Sequence, residues 1–394
     1  MLLKLLFTFA LLFVFFACAP LKPIGPQDEL PPPPKQPEVQ IEPQEPEAEL
    51  PSIDTTSGNI INVGVGFEKV SAKIECPNKK WEFRARTELG RKEIQANGYC
   101  SYAGKTYRGN WVVLSTDSGI AVINSIPVED YLKGVVPHEI GRLNRDGFEA
   151  LKAQAVAART YAYSHLGSRR SQGFDVFADT RDQVYNGKND EDSLVNEAIS
   201  ETSGLVLKIN GNLIEAFYHS TCGGKTESAE VWAQEPRPYL LSVSDSANGN
   251  AFCDASKYKN WQETFTKAEL AGLFKRNAEN ARVDSVFPFN KVEQVFITEK
   301  FPSGRVKRIV VFTDKGSFEA FGDRTRWLFQ RNGKILPSAL FSITRDKDNF
   351  LLTGSGFGHG IGMCQVGVIA RAKRGQKFDE ILKAYYTGVN VGRR

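Results

Sequence analysis

Between residues 20 and 52 the chain carries 11 of its 19 prolines, seven acidic residues and two lysines, with no aromatic residue and only six Leu, Ile or Val. Such a stretch cannot bury enough apolar surface to offset the entropy of ordering it, so it reads as an extended, partly polyproline tether. The folded part must therefore lie beyond it, in residues 53–394. That remainder is long and apolar enough for a large core, the whole chain being 41% hydrophobic over 394 residues. The formal net charge of +4 conceals an acidic tether at −5 and a more basic remainder at +8. No basic run is present, and nucleic acid is excluded as a partner.

Ahead of the tether, Lys4 precedes an uncharged apolar run over 5–17. This is the length of a signal-peptide core and too short for a comfortable membrane span. Phe15-Phe16-Ala17-Cys18 resembles the lipobox of bacterial lipoproteins, with Phe15 and Phe16 departing from the usual residues. The expectation is a signal peptide over 1–17, lipidation of Cys18, and a membrane anchor followed by the 18–52 tether. An ordinary peptidase site just after Cys18 is the alternative.

From 59 to 126 apolar residues alternate between glycines and polar turns, which predicts antiparallel strands and a β-rich extension over 53–125. A helix is expected over 146–165, with Asp146 as cap, Glu149 completing a capping box, and Phe148, Leu151, Ala155, Ala158 and Ala162 along one face. A second helix fits 192–202. Asn210-Gly211 predicts a tight hairpin between apolar runs. Strands fit 292–298, 306–313 and 317–321, with helices over 267–276, 363–374 and 378–386. Strands and helices mix without βα alternation, so the fold class is α+β.

Three segments carry the sharpest chemistry. The first runs from Ile126-Pro-Val-Glu-Asp-Tyr through Pro137-His-Glu139 into the alanine-rich stretch containing Arg159. The second is His219-Ser-Thr-Cys-Gly-Gly-Lys-Thr-Glu227, and the third is Gly356-Phe-Gly-His-Gly-Ile-Gly-Met-Cys-Gln365. In this order, with Asp179-Thr-Arg-Asp-Gln183-Val-Tyr185 between the first two, they resemble the SpoIID/LytB family of bacterial cell-wall proteins over about 126–391. The resemblance implies a single SpoIID-like unit over 126–394, built around a substrate cleft. It also implies peptidoglycan glycan strands as substrate, with an N-acetylmuramoyl-L-alanine amidase as a further partner.

Enzymatic members of that family are lytic transglycosylases, and the acidic residue of the first motif is their catalytic one. Carried to this sequence, that residue is Glu139. A carboxylic acid of raised pKa suits protonation of a glycosidic oxygen, and the apolar run before Glu139 offers the burial to raise it. No second carboxylate is needed when the sugar's own C6 hydroxyl is the nucleophile. Substrate-binding candidates are Arg159, Gln183, Tyr185, His359 and Gln365. Arg159 either snorkels to solvent or reaches into the cleft to hold a glycan carboxylate or tune Glu139. Gln183 and Tyr185 suit sugar contacts or a capped turn. His359 and Gln365 suit contact with the sugar or with Glu139, and His359 equally suits a structural role in its glycine-rich turn.

No CxxC pair occurs among the six cysteines. Export favours oxidised cysteines, and the pairs Cys76–Cys100 and Cys222–Cys253 leave Cys364 unpaired. A zinc site drawing on His219, Cys222, His359 and Cys364 is the alternative; disulfides are preferred, with no metal or other cofactor expected. The glycines around His359 lack the βαβ context of a dinucleotide site, and neither Ser220 nor Ser355 sits in a nucleophile elbow. The expected function is a lytic transglycosylase producing 1,6-anhydro ends, on intact or peptide-stripped strands. Its rival is a non-catalytic peptidoglycan-binding or amidase-enhancer protein.

Overall fold

The computed structural model describes residues 59–86, 90–232, 234–283 and 287–394. The expected signal peptide, the lipidated Cys18 and the tether lie outside the described residues. The fold is α+β, with several antiparallel sheets and a β-rich N-terminal region. Its helices are α1 (Val128–Glu139), α2 (Phe148–Ser164), α3 (Ser193–Glu201), α4 (Lys267–Asn277), α5 (Thr325–Leu328), α6 (Gln365–Lys373) and α7 (Phe378–Tyr385).

Strands Gly90–Ile94, Asn110–Thr116, Gly119–Pro127, Ile60–Glu68 and Val176–Phe177 lie side by side in one sheet. Its pairings are antiparallel except that of Ile60–Glu68 with Val176–Phe177. A smaller sheet holds Ser71–Cys76 beside Cys100–Tyr102, and a disulfide joins Cys76 to Cys100 as expected. The chain leaves the large sheet at Pro127 directly into α1, which packs on α2.

Helix α1 was not expected. Its buried residues Val128, Tyr131, Leu132, Val135 and Val136 recur at three-four spacing, a clear helical stripe. Pro137, inside the last turn, disguises it, because a proline there gives up a backbone bond and crowds the carbonyl four residues back, and so reads as a helix breaker. Helix α2 forms where the alanines predict it, and nearly all of its residues are buried, so small side chains are needed on every face. Its start differs from expectation. Gly147 occupies the cap position, Asp146 lies in a preceding 3-10 turn, and Glu149 accepts a hydrogen bond from the Phe378 N–H at 2.9 Å. A tertiary partner has taken the carboxylate that a capping box would use.

The Asp192 side chain caps α3, accepting from the N–H groups of Leu194 and Val195. The Asn-Gly hairpin forms with both Asn210 and Gly211 at positive φ, the twist that matches flanking strands Leu205–Ile209 and Asn212–Leu213. Strand Tyr218–His219 pairs in parallel with Met363–Cys364, so the second and third motifs meet although about 140 residues separate them.

Much of that interval folds around its own apolar core. Phe265, Leu270, Phe274, Val292, Ile309, Val311, Phe318, Phe329 and Leu352 form a cluster apart from the one that runs from Ile61 to Val389. Two three-stranded antiparallel sheets, with α4 and α5, surround it.

Candidate active site

Glu139 ends α1 and is partly exposed, yet its carboxylate sits among buried groups. Oε1 accepts from the Val184 N–H at 2.9 Å and Oε2 from Gln365 Nε2 at 3.4 Å. Among the described residues no cation pairs with it. Burial pushes its pKa from 4.5 up to about 7, against the two hydrogen bonds, which pull it down. The C-terminal end of a helix is also the end that disfavours negative charge. A carboxyl group that is half protonated near neutrality can give and take a proton.

Gln183 is fully buried behind this group, joined to two phenols. It accepts from Tyr131 Oη at 3.2 Å and donates to Tyr218 Oη at 2.9 Å and to the Ala158 carbonyl at 3.3 Å. Burial, with the Glu139 charge next, holds both phenols protonated. Gln183 thus orders the wall around the glutamate and has no free face for a sugar. Tyr185 is also interior: it is 2% exposed, donates to Asn124 Oδ1 at 2.9 Å, and packs on the rings of Tyr107 and Tyr131. The expectation that it contacts substrate is corrected.

Arg159 is corrected as well. It is fully buried, neither snorkelling nor reaching a cleft. Its Nε and Nη2 hold Glu129 at 2.7 and 2.8 Å, and its remaining donors reach the carbonyls of Leu205 and Ile199. Every partner is part of the fold, so Arg159 joins α1, α2 and α3.

His359 donates from Nε2 to the Tyr218 carbonyl at 3.1 Å and accepts the Ile361 N–H on Nδ1 at 3.0 Å. Burial lowers its pKa to about 4, so it is neutral and its turn is locked. The ring lies 4.8 Å from that of Trp232, which in turn lies 5.0 Å from Phe217. Phe217 meets Tyr161, and Tyr161 stacks on His165 at 3.9 Å. Sequence reasoning missed Tyr131, Tyr161, Phe217, Tyr218 and Trp232 as neighbours of the site. Only the helical stripe of α1 would have flagged Tyr131.

Trp232 also lines a cavity of about 810 Å3, together with Phe301, Phe321, Arg282, Lys300, Lys307 and Arg324. Among the described lining residues four are cations and one, Glu230, is an acid. Glu139 does not line it. No helix among the described residues is long and apolar enough to cross a membrane.

The expected Cys222–Cys253 disulfide is absent. Cys222, Cys253 and Cys364 are buried free thiols, with Cys222 and Cys253 sulfurs 3.6 Å apart. His219 and His359 turn away from them, toward the Ile361 and Tyr218 carbonyls.

Together, fold and site define an α+β protein with one uncompensated, proton-bearing carboxyl beside a buried network of an amide and two phenols. Residues 116–208 match the family described as Stage II sporulation protein, and residues 252–362 match a domain of unknown function, DUF8618. The latter segment is the one with its own core. Stage II sporulation protein D of Bacillus subtilis is 31% identical over 68% of this chain and 75% of its own length. An uncharacterized protein of Brachyspira hyodysenteriae is 33% identical over 73% of both chains. The amidase enhancer of Bacillus subtilis is 33% identical over 66% of this chain but only 40% of its own length. The chain belongs to the SpoIID family.

Proposed function

We propose that this protein is a peptidoglycan lytic transglycosylase, with Glu139 as its general acid and base. The observation that carries the reading is the Glu139 carboxyl, pushed up to about 7 with no cation beside it. In this reaction the protonated carboxyl gives its proton to the glycosidic oxygen as the β-1,4 bond after N-acetylmuramic acid breaks. The resulting carboxylate takes the proton of the sugar's C6 hydroxyl, whose oxygen bonds to C1 and closes the 1,6-anhydro ring. Protons balance, no water is consumed, and one carboxyl serves both steps. Gln365 and the Val184 N–H orient the carboxyl, while the rings of Phe217, Trp232 and His359 offer an aromatic wall for sugar faces. The basic cavity beside Trp232 suits the lactyl and peptide carboxylates of the same polymer. Export, lipidation at Cys18 and anchoring to a membrane complete the reading, placing the enzyme beside the wall on the acidic tether.

A second reading, a non-catalytic wall-binding protein that stimulates an amidase, has the name of the Bacillus subtilis relative in its favour. The two separate when the protein is incubated with intact and with amidase-stripped sacculi and the products are read by mass spectrometry. Anhydro ends from either substrate support the enzyme. Their absence from both, with cosedimentation retained, rejects it in favour of the binding role.

A further inference from the structure

Cys222, Asp245, Cys253 and Cys364 bring one ligand atom each to within 4.8 Å of the others. None of the four is more than 2% exposed. They arrive from separate parts of the chain: the turn after Tyr218–His219, the residue before Ser246–Ala247, the residue pair after Asn250–Ala251, and the end of Met363–Cys364. The parallel pairing of Tyr218–His219 with Met363–Cys364 sets Cys364 beside the Cys222 turn. Buried thiols alone are ordinary and Arg371 already pairs with Asp245, so what asks for an explanation is the convergence of four ligand atoms from separate parts of the chain.

Two of the spacings are near those around an ion. Cys222 Sγ lies 3.6 Å from Cys253 Sγ and 3.2 Å from Asp245 Oδ2. Tetrahedral zinc, with Zn–S near ~2.3 Å and Zn–O near ~2.1 Å, sets S···S edges of about 3.8 Å and S···O edges of about 3.6 Å. A disulfide would bring its sulfurs to about 2 Å.

The surroundings are arranged for anionic ligands. The Cys222 N–H points at Cys364 Sγ at 3.2 Å, and the Gly224 N–H at Cys222 Sγ at 3.3 Å. Oδ1 of Asp245 accepts from Tyr385 Oη at 2.8 Å and Arg371 Nε at 3.1 Å, which leaves Oδ2 turned toward the thiols. Outer partners of this kind fix the orientation of a ligating carboxylate. A Cβ at Gly367 would fall 2.3 Å from that Oδ2 and 2.2 Å from the Tyr385 oxygen, so the bare glycine makes the room. Three thiolates and a carboxylate around a divalent ion leave two negative charges. Two buried guanidiniums stand beside them: Arg371 on Asp245, and Arg305, whose Nη2 donates to the Cys222 carbonyl at 2.7 Å.

We propose that Cys222, Asp245, Cys253 and Cys364 form a closed structural zinc site that ties both ends of the 252–362 segment to the main core. All four positions are filled by protein, the mark of a structural and not a catalytic centre, and soft thiolates favour zinc over oxygen-seeking cations. Cys253 stands at the start of the segment and Cys364 just past its end. Holding both on one ion closes a loop of roughly 110 residues, the kind of constraint that gains with loop length. The site explains why these thiols stay reduced in a chain whose other pair, Cys76–Cys100, is oxidised.

The test uses the full chain purified without added metal or chelator. Elemental analysis should give about one zinc per chain, and peptide mapping without reductant should find Cys222, Cys253 and Cys364 unpaired. Replacement by cobalt should give the sulfur-to-metal charge-transfer and visible bands of a tetrahedral thiolate site. In Cys364→Ser and Asp245→Asn, zinc affinity should fall roughly tenfold or more. Zinc-free wild-type protein, whether Cys222 and Cys253 are joined or reduced, overturns the proposal, as does zinc held equally well by both variants. None of these readings involves glycan cleavage, so their failure leaves the role of Glu139 standing.

Discussion

Helix α1 carries one glutamate in its first turn and another at its end, and the two are held in opposite ways. Glu129, in the first turn, meets the favourable end of the helix dipole and a bidentate, fully buried Arg159. Glu139, in the last turn, meets the unfavourable end and two neutral donors. The first is a charge fixed in place to join three helices. The second is a charge kept expensive, and therefore ready to become a neutral acid. Identical side chains on one helix thus take a structural and a chemical role according to what tertiary packing sets beside them.

The contrast can be broken most directly at Glu139. Glu139→Gln keeps the shape and the Val184 contact but removes the proton, so formation of anhydro ends should fall by about 10²–10⁴-fold, with circular dichroism and melting cooperativity unchanged. Cleavage persisting at the wild-type rate would strip Glu139 of its role. At the other end, Arg159→Met strands Glu129, whose side chain is 34% exposed, and should lower stability by about 1–3 kcal/mol in denaturant titration. The double variant Arg159→Met/Glu129→Leu should lose less, because no unpaired charge remains. A mild Arg159→Met effect on stability, with a large loss of substrate binding, would mean that the arginine serves the glycan after all.

The pH dependence sharpens the same comparison. A carboxyl whose folded pKa is raised from 4.5 to about 7 binds more protons folded than unfolded across that window. Its favourable contribution is full below 4.5 and is lost as pH rises through 7. Glu139→Gln should therefore be more stable than wild type above neutrality, by about 1–2 kcal/mol after allowing for its partial solvent contact. Cleavage that needs the protonated acid should decline over the same alkaline range. The smallest effect belongs to Gln365→Leu. Loss of its hydrogen bond to Oε2 should raise the Glu139 pKa further and move that alkaline limb upward by less than about one pH unit.

Local patterns carried much of the fold. The alanine-rich α2, the Asp192 cap, the Asn-Gly hairpin and the strands over 292–321 all rest on interactions between near neighbours. Those patterns failed where a distant group intervened. The Phe378 N–H claimed Glu149 from its capping box, and Pro137 obscured a helix whose apolar stripe is otherwise plain. At the site, the chemistry of residue types was legible but their directions were not. Arg159, Gln183 and Tyr185 look like ligand contacts in one dimension, and each turns out to be satisfied inside the protein. The same holds for the cysteines: a pairing by position joined Cys76 to Cys100 correctly but did not foresee that Cys364 and Asp245 would join Cys222 and Cys253 in one cluster.

The sequence by itself determined the α+β class and singled out the glutamate on which the proposed reaction turns. These follow from composition, periodicity and motif, which are properties of short stretches of chain. Tertiary structure decided which carboxylate is paired and which is not, and that a segment between the second and third motifs folds around its own core. It also decided that four ligand atoms from positions 222 to 364 converge. A pKa and a metal site depend on what lies within a few ångströms, and only the folded chain brings residues so far apart in sequence to that distance.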